Sequence, residues 1–457
     1  MTQGAVDVTL PIAATREHAR PTERFLSPGR TIAVAAFTLF ALTFVAPSVH
    51  DDGIYYFYFL RRLFGVHTPA EAYQFGSVFW TAPFWLVSQL VAVRGQFDYY
   101  HAGEMGTAVA SSAAVLVTMY LGWSILKQLA LPRGPAVLLL TVFGTPLWYY
   151  GVASPSYKHA ADTLYATAAF WCLLRATELP ARRYLIGAGA FLALLLATRY
   201  ANAGLLVGAL LMFAPRRWRQ GLPVLATTTA ALALVLFVLP VVRGIPYHRP
   251  PDMPTTMIGS DGLLTGSVSV REALGVGPVS LANNARLDLL APYKMLFTLH
   301  RGLFVWTPLT AFATVGFLLL LRRDRRNRRF LLGLGCGALA LLEVHVFYGG
   351  GLWDGGGSFS ERFLTALFPF FLVGSAEFVR RTRRLGVALL TLCAVFSVFV
   401  GLVQFNGYRN ESSRDSVVTI VTSFRKVIGP SDSVEHFGSE LGNQIYDRWR
   451  LYWRIVT

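Results

Sequence analysis

The sequence predicts an all-α polytopic membrane protein, as its composition and the spacing of its apolar segments indicate. Of the 457 residues, 54% are hydrophobic and only 14% are charged, too few to cover a soluble protein of this length. The apolar residues form many runs of roughly 17–25 residues, each long enough to cross a hydrocarbon core about 30 Å thick. Because lipid offers the backbone no hydrogen bonds, these runs are predicted to be helices packed in one bundle.

The distribution of positive charge argues against a nucleic-acid partner. The formal net charge is +16, a value that would suggest nucleic acid for a soluble chain. Here the arginines and lysines occur in short clusters between apolar runs, as in the cytoplasmic loops of membrane proteins. The three cysteines, Cys172, Cys336 and Cys393, lie inside apolar runs and are predicted to be core residues instead of a disulfide framework.

The same charges select the threading through the membrane. If residues 76–93 formed the second crossing, Lys127 and Arg133 would lie outside and every later loop would be reversed. Treating 76–93 as a juxtamembrane or re-entrant segment on the outer side places six basic clusters (16–30, 127–133, 175–183, 216–219, 322–329 and 380–384) on one face. About eleven crossings then follow, at 31–48, 105–128, 135–152, 159–176, 184–199, 201–214, 222–241, 303–321, 330–348, 363–379 and 385–404.

This threading divides the chain into three parts. Residues 1–30 are predicted to be a disordered cytoplasmic N-terminus, 31–404 the transmembrane domain, and 405–457 an extracytoplasmic tail. The first run is expected to be a retained helix and not a signal peptide, because no small-residue cleavage site precedes it. Both long outer loops, 49–104 and 243–301, lie on the same side, and long non-helical segments are commonly functional. The chemistry is therefore expected to face outward.

Two adjacent carboxylates, Asp51 and Asp52, follow the first crossing directly. The aromatic stretch "IYYFYFLRRLF" after them is typical of an interfacial helix, which an Asp would cap. One Asp suffices for a cap, however. A second carboxylate at the outer edge of a bundle would have its pKa raised by the neighbouring charge and by partial desolvation. A raised pKa suits a general base. From the residues alone, the pair is either a cap or a base.

Cationic side chains gather at the predicted outer ends of several helices. Each of them could simply snorkel to the interface. Lys158, however, lies four residues before Asp162 on one helix face, and Arg362 begins a crossing within "GGGLWDGGGSFSERF". Cations that converge from separate helix ends indicate a site for an anionic headgroup or phosphate. The candidates are Lys158, His159, His300, Arg301 and Arg362.

The familiar signatures of soluble catalysis are missing from the sequence. It contains no Walker loop, dinucleotide fingerprint, HExxH or GxSxG motif. We therefore do not expect cytosolic ATP-driven chemistry, and the energy for a reaction would arrive in an activated substrate from the membrane side.

An ordered set of motifs resembles the GT-C superfamily of integral-membrane glycosyltransferases, in particular bacterial relatives of protein O-mannosyltransferases and lipid A aminoarabinose transferases. The set spans about residues 30–405, and its order and spacing carry the resemblance more than any single motif. It agrees with the threading, because the first outer loop of this family carries juxtamembrane helices. The motifs are "DDGIYYFYFL", "YQFGSVFWTAPFWLVSQLVA", "GTPLWYYGVASPSYKHAADTLY", "LLATRYANAGLL", "HRGLFVWTPL" and "GGGLWDGGGSFSERFLTALFPFFL".

The resemblance implies a reaction. A sugar on a polyprenyl-phosphate donor would be transferred, with inversion, to an acceptor hydroxyl on the extracytoplasmic face of a bacterial inner membrane. A first-loop Asp would be the general base; Asp52 is preferred because it precedes "GIYY", and the doublet keeps Asp51 as the alternative. The residues that would bind the donor phosphate are Lys158, His159, Arg199, Arg301 and Arg362. Candidates for the substrate groove are Glu71, Trp80, Tyr157, His300, Trp353, Asp354 and Glu361.

Cofactors, acceptor and rival functions stay open at this point. No cofactor is required, although the acidic pair with Asp98 or Glu71 is compatible with a magnesium or manganese ion. The acceptor is a protein, a lipid or a glycan. The alternative function is a lipid or solute transporter or flippase, which would typically show repeated halves and ionisable residues at the midplane. The sequence has no clear internal repeat, so the glycosyltransferase is favoured over this rival and over a non-catalytic polyprenol-binding partner.

Overall fold

A computed structural model describes residues 28–45, 49, 52–66, 76–95, 98–132, 134–178, 181–213, 218–235, 289–298, 301–348 and 359–408. Every regular element within these ranges is helical, and no strand occurs there. The prediction of an all-α fold is therefore confirmed for this part of the chain. The predicted N-terminal segment before Pro28 and the tail beyond Tyr408 lie outside the described residues.

Fifteen α-helices lie within the described residues. They are α1 (Pro28–Phe44), α2 (Asp52–Leu63), α3 (Val78–Gly95), α4 (Tyr99–Gln128), α5 (Pro135–Phe143), α6 (His159–Glu178), α7 (Arg182–Thr198), α8 (Ala203–Leu211), α9 (Trp218–Ala233), α10 (Ala291–Phe297), α11 (Leu303–Trp306), α12 (Leu309–Arg323), α13 (Arg328–Tyr348), α14 (Phe368–Thr382) and α15 (Arg384–Tyr408). A π-helical turn (Tyr149–Ala153) and two 3₁₀ turns (Tyr200–Asn202 and Arg362–Leu367) lie between them.

The lengths and surfaces of these helices fit a bilayer. Within the described residues, three helical stretches are long and apolar enough to cross one: Tyr99–Gln128, Arg362–Thr382 and Arg384–Leu402. Large apolar side chains also face outward, and Leu39 and Leu392 are each 68% exposed. Such a surface is stable against lipid and costly against water. The count of eleven crossings stays a prediction.

Two predicted crossings are interrupted helices. In the run 135–152, α5 ends at Phe143 and the chain continues through Pro146 into the π-helical turn. In the run 303–321, Thr307 has φ −132° and ψ 70°, and Pro308 follows it. Proline lacks an N–H group and disfavours a helical conformation in the residue before it, so each break coincides with a residue that cannot continue the helix.

The predicted first outer loop is largely helical. Residues 49–104 contain α2, α3 and the start of α4, and α3 packs along α4 while α2 packs against α3. This agrees with the juxtamembrane helices expected in that loop. Of the other long loop, 243–301, the structure describes 289–298 and Arg301, which include α10.

Helix α6 forms the centre of the bundle. It packs against α4 and α7 and contacts α14, and its residues are buried along nearly the whole length. Burial of its hydroxyl groups costs little free energy, because each has a hydrogen-bond acceptor one turn earlier. Thr163 donates to the His159 carbonyl (2.9 Å), and Thr167 donates to the Thr163 carbonyl (2.7 Å). A helix with Ala and Thr at these positions lets its neighbours approach closely.

Helices α12 and α14 are joined tightly along their length and at their basic end. A Cβ atom at Gly374 would overlap the carbonyl of Ala313, so only glycine permits this approach. At the basic end, the carboxylate of Glu377 is fully buried and accepts from Arg380 (2.6 Å) and Arg381 (3.1 Å) on its own helix. It also forms an ion pair with Arg323 (3.2 Å) on α12. One carboxylate therefore holds three guanidinium groups.

The three cysteines are free. Cys172 and Cys393 are buried and Cys336 is partly buried. Their prediction as core residues is confirmed for the first two.

Candidate active site

The acidic end of α2 lies against the turn that carries Lys158. Asp52 is the first residue of α2, but its side chain and all of Asp51 lie outside the described residues. A Cβ atom at the next residue, Gly53, would overlap the Ser156 side chain and lie 3.0 Å from the Ser156 carbonyl carbon. One turn along α2, the Tyr56 ring centroid lies 5.2 Å from Nζ of Lys158. The backbone that carries the acidic pair is therefore packed directly on this turn.

Hydroxyl groups from α4 hold the irregular segment before α6 in place. The Ser112 hydroxyl donates to the Gly151 carbonyl (2.8 Å), and the Ser111 hydroxyl donates to the Pro155 carbonyl. Within the segment, the Ser154 N–H group donates to the Tyr149 carbonyl (2.7 Å). Irregular backbone within a membrane bundle needs such partners, because no lipid group can satisfy it.

Two arginines from separate elements meet on one aromatic ring. Arg199, in the connection after α7, is buried; its guanidinium lies 4.1 Å from the Phe363 ring centroid and donates to the Phe363 carbonyl (3.2 Å). The guanidinium of Arg362 lies 5.4 Å from the same ring and 5.4 Å from the Tyr157 ring. Cations stacked on rings keep a fixed orientation, and here they are concentrated at one place.

Lys158 completes this group of cations. The charges of Arg362, Arg199 and Lys158 all act on the imidazole of His159, which is buried at the start of α6. Four of the five predicted phosphate-binding residues are thus brought together. Arg301 is buried in the turn before α11, and its part in this cluster stays a prediction.

A buried carboxylate that the predicted site did not include lies within the cluster. Oδ1 of Asp162 accepts from the Asn202 side-chain amide (3.1 Å), which also donates to the Leu195 carbonyl (3.3 Å). Asp162 also interacts electrostatically with Arg199 and Lys158. Among the described residues, Oδ2 of Asp162 has no hydrogen-bond partner. The spacing from Lys158 pointed to Asp162, whereas nothing in the sequence marked Asn202.

Aromatic rings line one side of the cluster. The ring centroids of Tyr150 and His159 are 4.6 Å apart, and those of Tyr157 and His159 are 6.0 Å apart. The Tyr150 hydroxyl accepts from the Phe359 N–H group (3.0 Å). This bond holds the ring between the π-helical turn and the segment that leads to Arg362.

The predicted groove residues divide into three groups. Trp80 and Tyr157 line one small cavity with Tyr56 and Ser156; it holds about 20 Å³, space for one water molecule. The Trp80 indole also donates to the Ala110 carbonyl (2.7 Å), which fixes α3 on α4. Glu361 is buried and accepts from the Phe363 N–H group (3.4 Å) at the start of the 3₁₀ turn. Glu71, His300, Trp353 and Asp354 lie outside the described residues.

The metal hypothesis stays a prediction. In the part of the chain that the structure describes, no group of three or more His, Cys, Asp or Glu side chains is placed to hold a metal ion. Asp98, one of the suggested ligands, caps α4 and accepts from the N–H groups of Tyr100 (2.6 Å) and His101 (3.2 Å). The bonds from His101 and Tyr100 hold the pKa of Asp98 below its ordinary value.

The chain was compared with family models, curated proteins and solved structures. No family model matches the chain, and no curated protein matches it. Among solved structures, the chain is similar to the oligosaccharyltransferase of Archaeoglobus fulgidus in its apo form, with 12% sequence identity and a TM-score of 0.48. The match covers 90% of this chain and 59% of that one, so the chain spans less than two thirds of that protein's length. The function proposed below rests on the site and on the resemblance of the sequence motifs.

Proposed function

We propose that this protein is a glycosyltransferase that moves a sugar from a polyprenyl-phosphate donor to an acceptor hydroxyl on the extracytoplasmic face of its membrane. One observation carries the proposal. The N-terminus of α2, which bears the acidic pair, packs on the turn before α6 through Gly53 and Ser156. Tyr157 in that turn lies 5.4 Å from the guanidinium of Arg362, which shares the Phe363 ring with Arg199. This packing supports a base next to a site for the donor phosphate.

The cations suit the leaving group of this reaction. When the bond between the sugar and the phosphate breaks, negative charge develops on the polyprenyl phosphate. Donors already held in place stabilise such charge without reorganising during the reaction. Arg199 is fixed in this way by the ring and the carbonyl of Phe363. Guanidinium groups also match phosphate oxygens in geometry, which lysine does not.

The acidic pair supplies the base in this mechanism. Asp52 or Asp51 accepts the proton of the acceptor hydroxyl while its oxygen forms a bond to the anomeric carbon. The bond from that carbon to the phosphate oxygen breaks at the same time, and polyprenyl phosphate leaves with the bonding electrons. Attack opposite to the leaving group inverts the anomeric centre.

Purified protein can test the proposal with a panel of labelled polyprenyl-phosphate sugars and a membrane extract as the acceptor source. Asp52→Asn and Asp51→Asn are compared with the matched control Asp98→Asn, in which Asn can still cap α4. We expect transfer to be lost in one variant of the pair and kept in the control. Full transfer by both variants would disprove the proposal that Asp51 or Asp52 is the general base. Movement of the labelled lipid between leaflets without any product would replace the proposal with a transporter.

A further inference from the structure

A buried carboxylate on α4 is bonded to the backbone just before the acidic pair. Glu104 is 7% exposed, and its Oε1 accepts from the Val49 N–H group at 3.0 Å. Its Oε2 lies 3.0 Å from Nδ1 of His101, one turn earlier on the same helix. Both carboxylate oxygens are therefore engaged, one of them by a residue 55 positions away in the chain.

Val49 is the last described residue before the pair, three positions ahead of Asp52. It is 7% exposed and belongs to the apolar cluster that contains Phe57 and Leu60 of α2. The hydrogen bond to Glu104 thus fixes the chain where it passes from α1 to α2. A buried bond to a charged acceptor of this kind is about twice as strong as a bond between neutral groups.

The start of α4 also supports α2 directly. The Phe57 and Tyr100 rings meet edge to face with centroids 5.3 Å apart, and the guanidinium of Arg61 lies 5.2 Å from the Tyr100 ring. On the other side of the pair, Gly53 packs on Ser156. The described residues on either side of the pair are therefore both held in place, Val49 by Glu104 and Gly53 by the Ser156 turn.

We infer that Glu104 is a positioning residue for the acidic pair: its bond to the Val49 N–H group sets where the base stands relative to the cations. This inference rests on the proposed function. In this role, Glu104 does not contact the substrate and does not transfer a proton. Displacement of a catalytic group by about 1 Å can lower a rate by about 10²-fold. Loss of the bond should therefore reduce turnover more than donor binding.

The test compares Glu104→Ala with Glu104→Gln, whose amide oxygen can still accept from Val49. We expect Glu104→Ala to lower kcat by about 10- to 100-fold with the donor KM within about twofold, and Glu104→Gln to restore most of the loss. The control is Gln89→Ala, which removes a bond from α3 to the Tyr99 carbonyl (2.9 Å) at the same helix end. The pH–rate profile of Glu104→Gln should keep its shape, since Glu104 is not the base.

A second readout does not depend on activity. Amide hydrogen exchange of the peptide that contains Val49 should be about tenfold faster or more in Glu104→Ala than in wild type or Gln89→Ala. Unchanged exchange would overturn the inference, as would a Glu104→Gln variant that is as inactive as Glu104→Ala. If the wild type transfers no sugar, the proposed function fails and the catalytic part of this inference falls with it. The exchange result still decides whether Glu104 anchors Val49.

Discussion

Gly53→Ala tests whether the contact between α2 and the Ser156 turn sets the geometry of the site. The added Cβ would overlap the Ser156 side chain and lie 3.0 Å from its carbonyl carbon. Because ordinary contacts between carbon atoms are about 3.5–4.0 Å long, and the new Cβ would lie closer to the Ser156 Cβ than to the carbonyl carbon, the two segments must separate by about 1–1.5 Å. A displacement of that size next to a catalytic group can cost about 10²-fold in rate, or about 2.7 kcal/mol in the barrier.

The same substitution should change stability much less than activity. Overpacking a tight contact costs about 1–3 kcal/mol. Replacing glycine by alanine within a helix returns about 0.5–1 kcal/mol. The net loss of unfolding free energy is therefore roughly 0–2.5 kcal/mol, and the protein should still fold.

The assay is the initial rate of sugar transfer, with the thermal unfolding of each variant measured in detergent. Gly134→Ala is the matched control, because a Cβ atom there meets nothing within 4 Å. Adding Ser156→Gly to Gly53→Ala removes the side-chain overlap and should recover part of the rate. A rate for Gly53→Ala within twofold of the Gly134→Ala rate would refute the reasoning.

Three further predictions concern single side chains. Arg199→Lys should raise the donor KM at least tenfold, because lysine loses both the stacking on Phe363 and the fixed hydrogen bond, each worth about 1–2 kcal/mol. The control Arg183→Lys, at an exposed site, should leave the donor KM unchanged. Glu377→Gln should lower the unfolding free energy by about 1–3 kcal/mol. The loss is smaller than for a fully buried ion pair, because the three arginines that contact Glu377 are 32–46% exposed. An unchanged Tm would contradict this prediction. Asp98→Ala should cost about 0.5–2 kcal/mol through loss of the helix cap. Because the pKa of Asp98 is lower in the folded state, the stability difference between wild type and Asp98→Ala should persist above pH 3.8 and disappear as the pH falls below that value. A difference that stays constant in unfolding scans across pH would exclude capping by the ionised carboxylate.

Hydropathy alone located many of the helices. The predicted run 159–176 corresponds to α6 at His159–Glu178, and the run 105–128 corresponds to α4, which begins earlier, at Tyr99, because Asp98 caps it. Apolar segments of this length can satisfy their backbone only as helices, so composition and length suffice to find them. The interruption at Pro308 was predictable in principle, since proline disfavours a helical conformation in the residue before it, although α3 and α9 continue through Pro83 and Pro223.

The site was predictable only in its residue types. Cations at helix ends drew attention to Arg199 and Arg362, but their meeting on Phe363 depends on how the end of α7 docks beside the 3₁₀ turn Arg362–Leu367. No local pattern encodes that docking. The contact between Gly53 and Ser156 joins positions 103 residues apart, and a lone glycine at the start of a helix gives no signal of it.

The shared ring of Phe363 links ligand binding to the assembly of the bundle. Arg199 and Arg362 belong to different helical segments, so they stand side by side only when those segments have packed together. An anion that binds both would therefore bind the folded state and not the separated helices. By mass action it would stabilise the fold by about 2.7 kcal/mol at a hundred times its Kd. A rise in unfolding temperature can thus identify the donor headgroup by screening phosphate-bearing lipids, before the acceptor or the sugar is known.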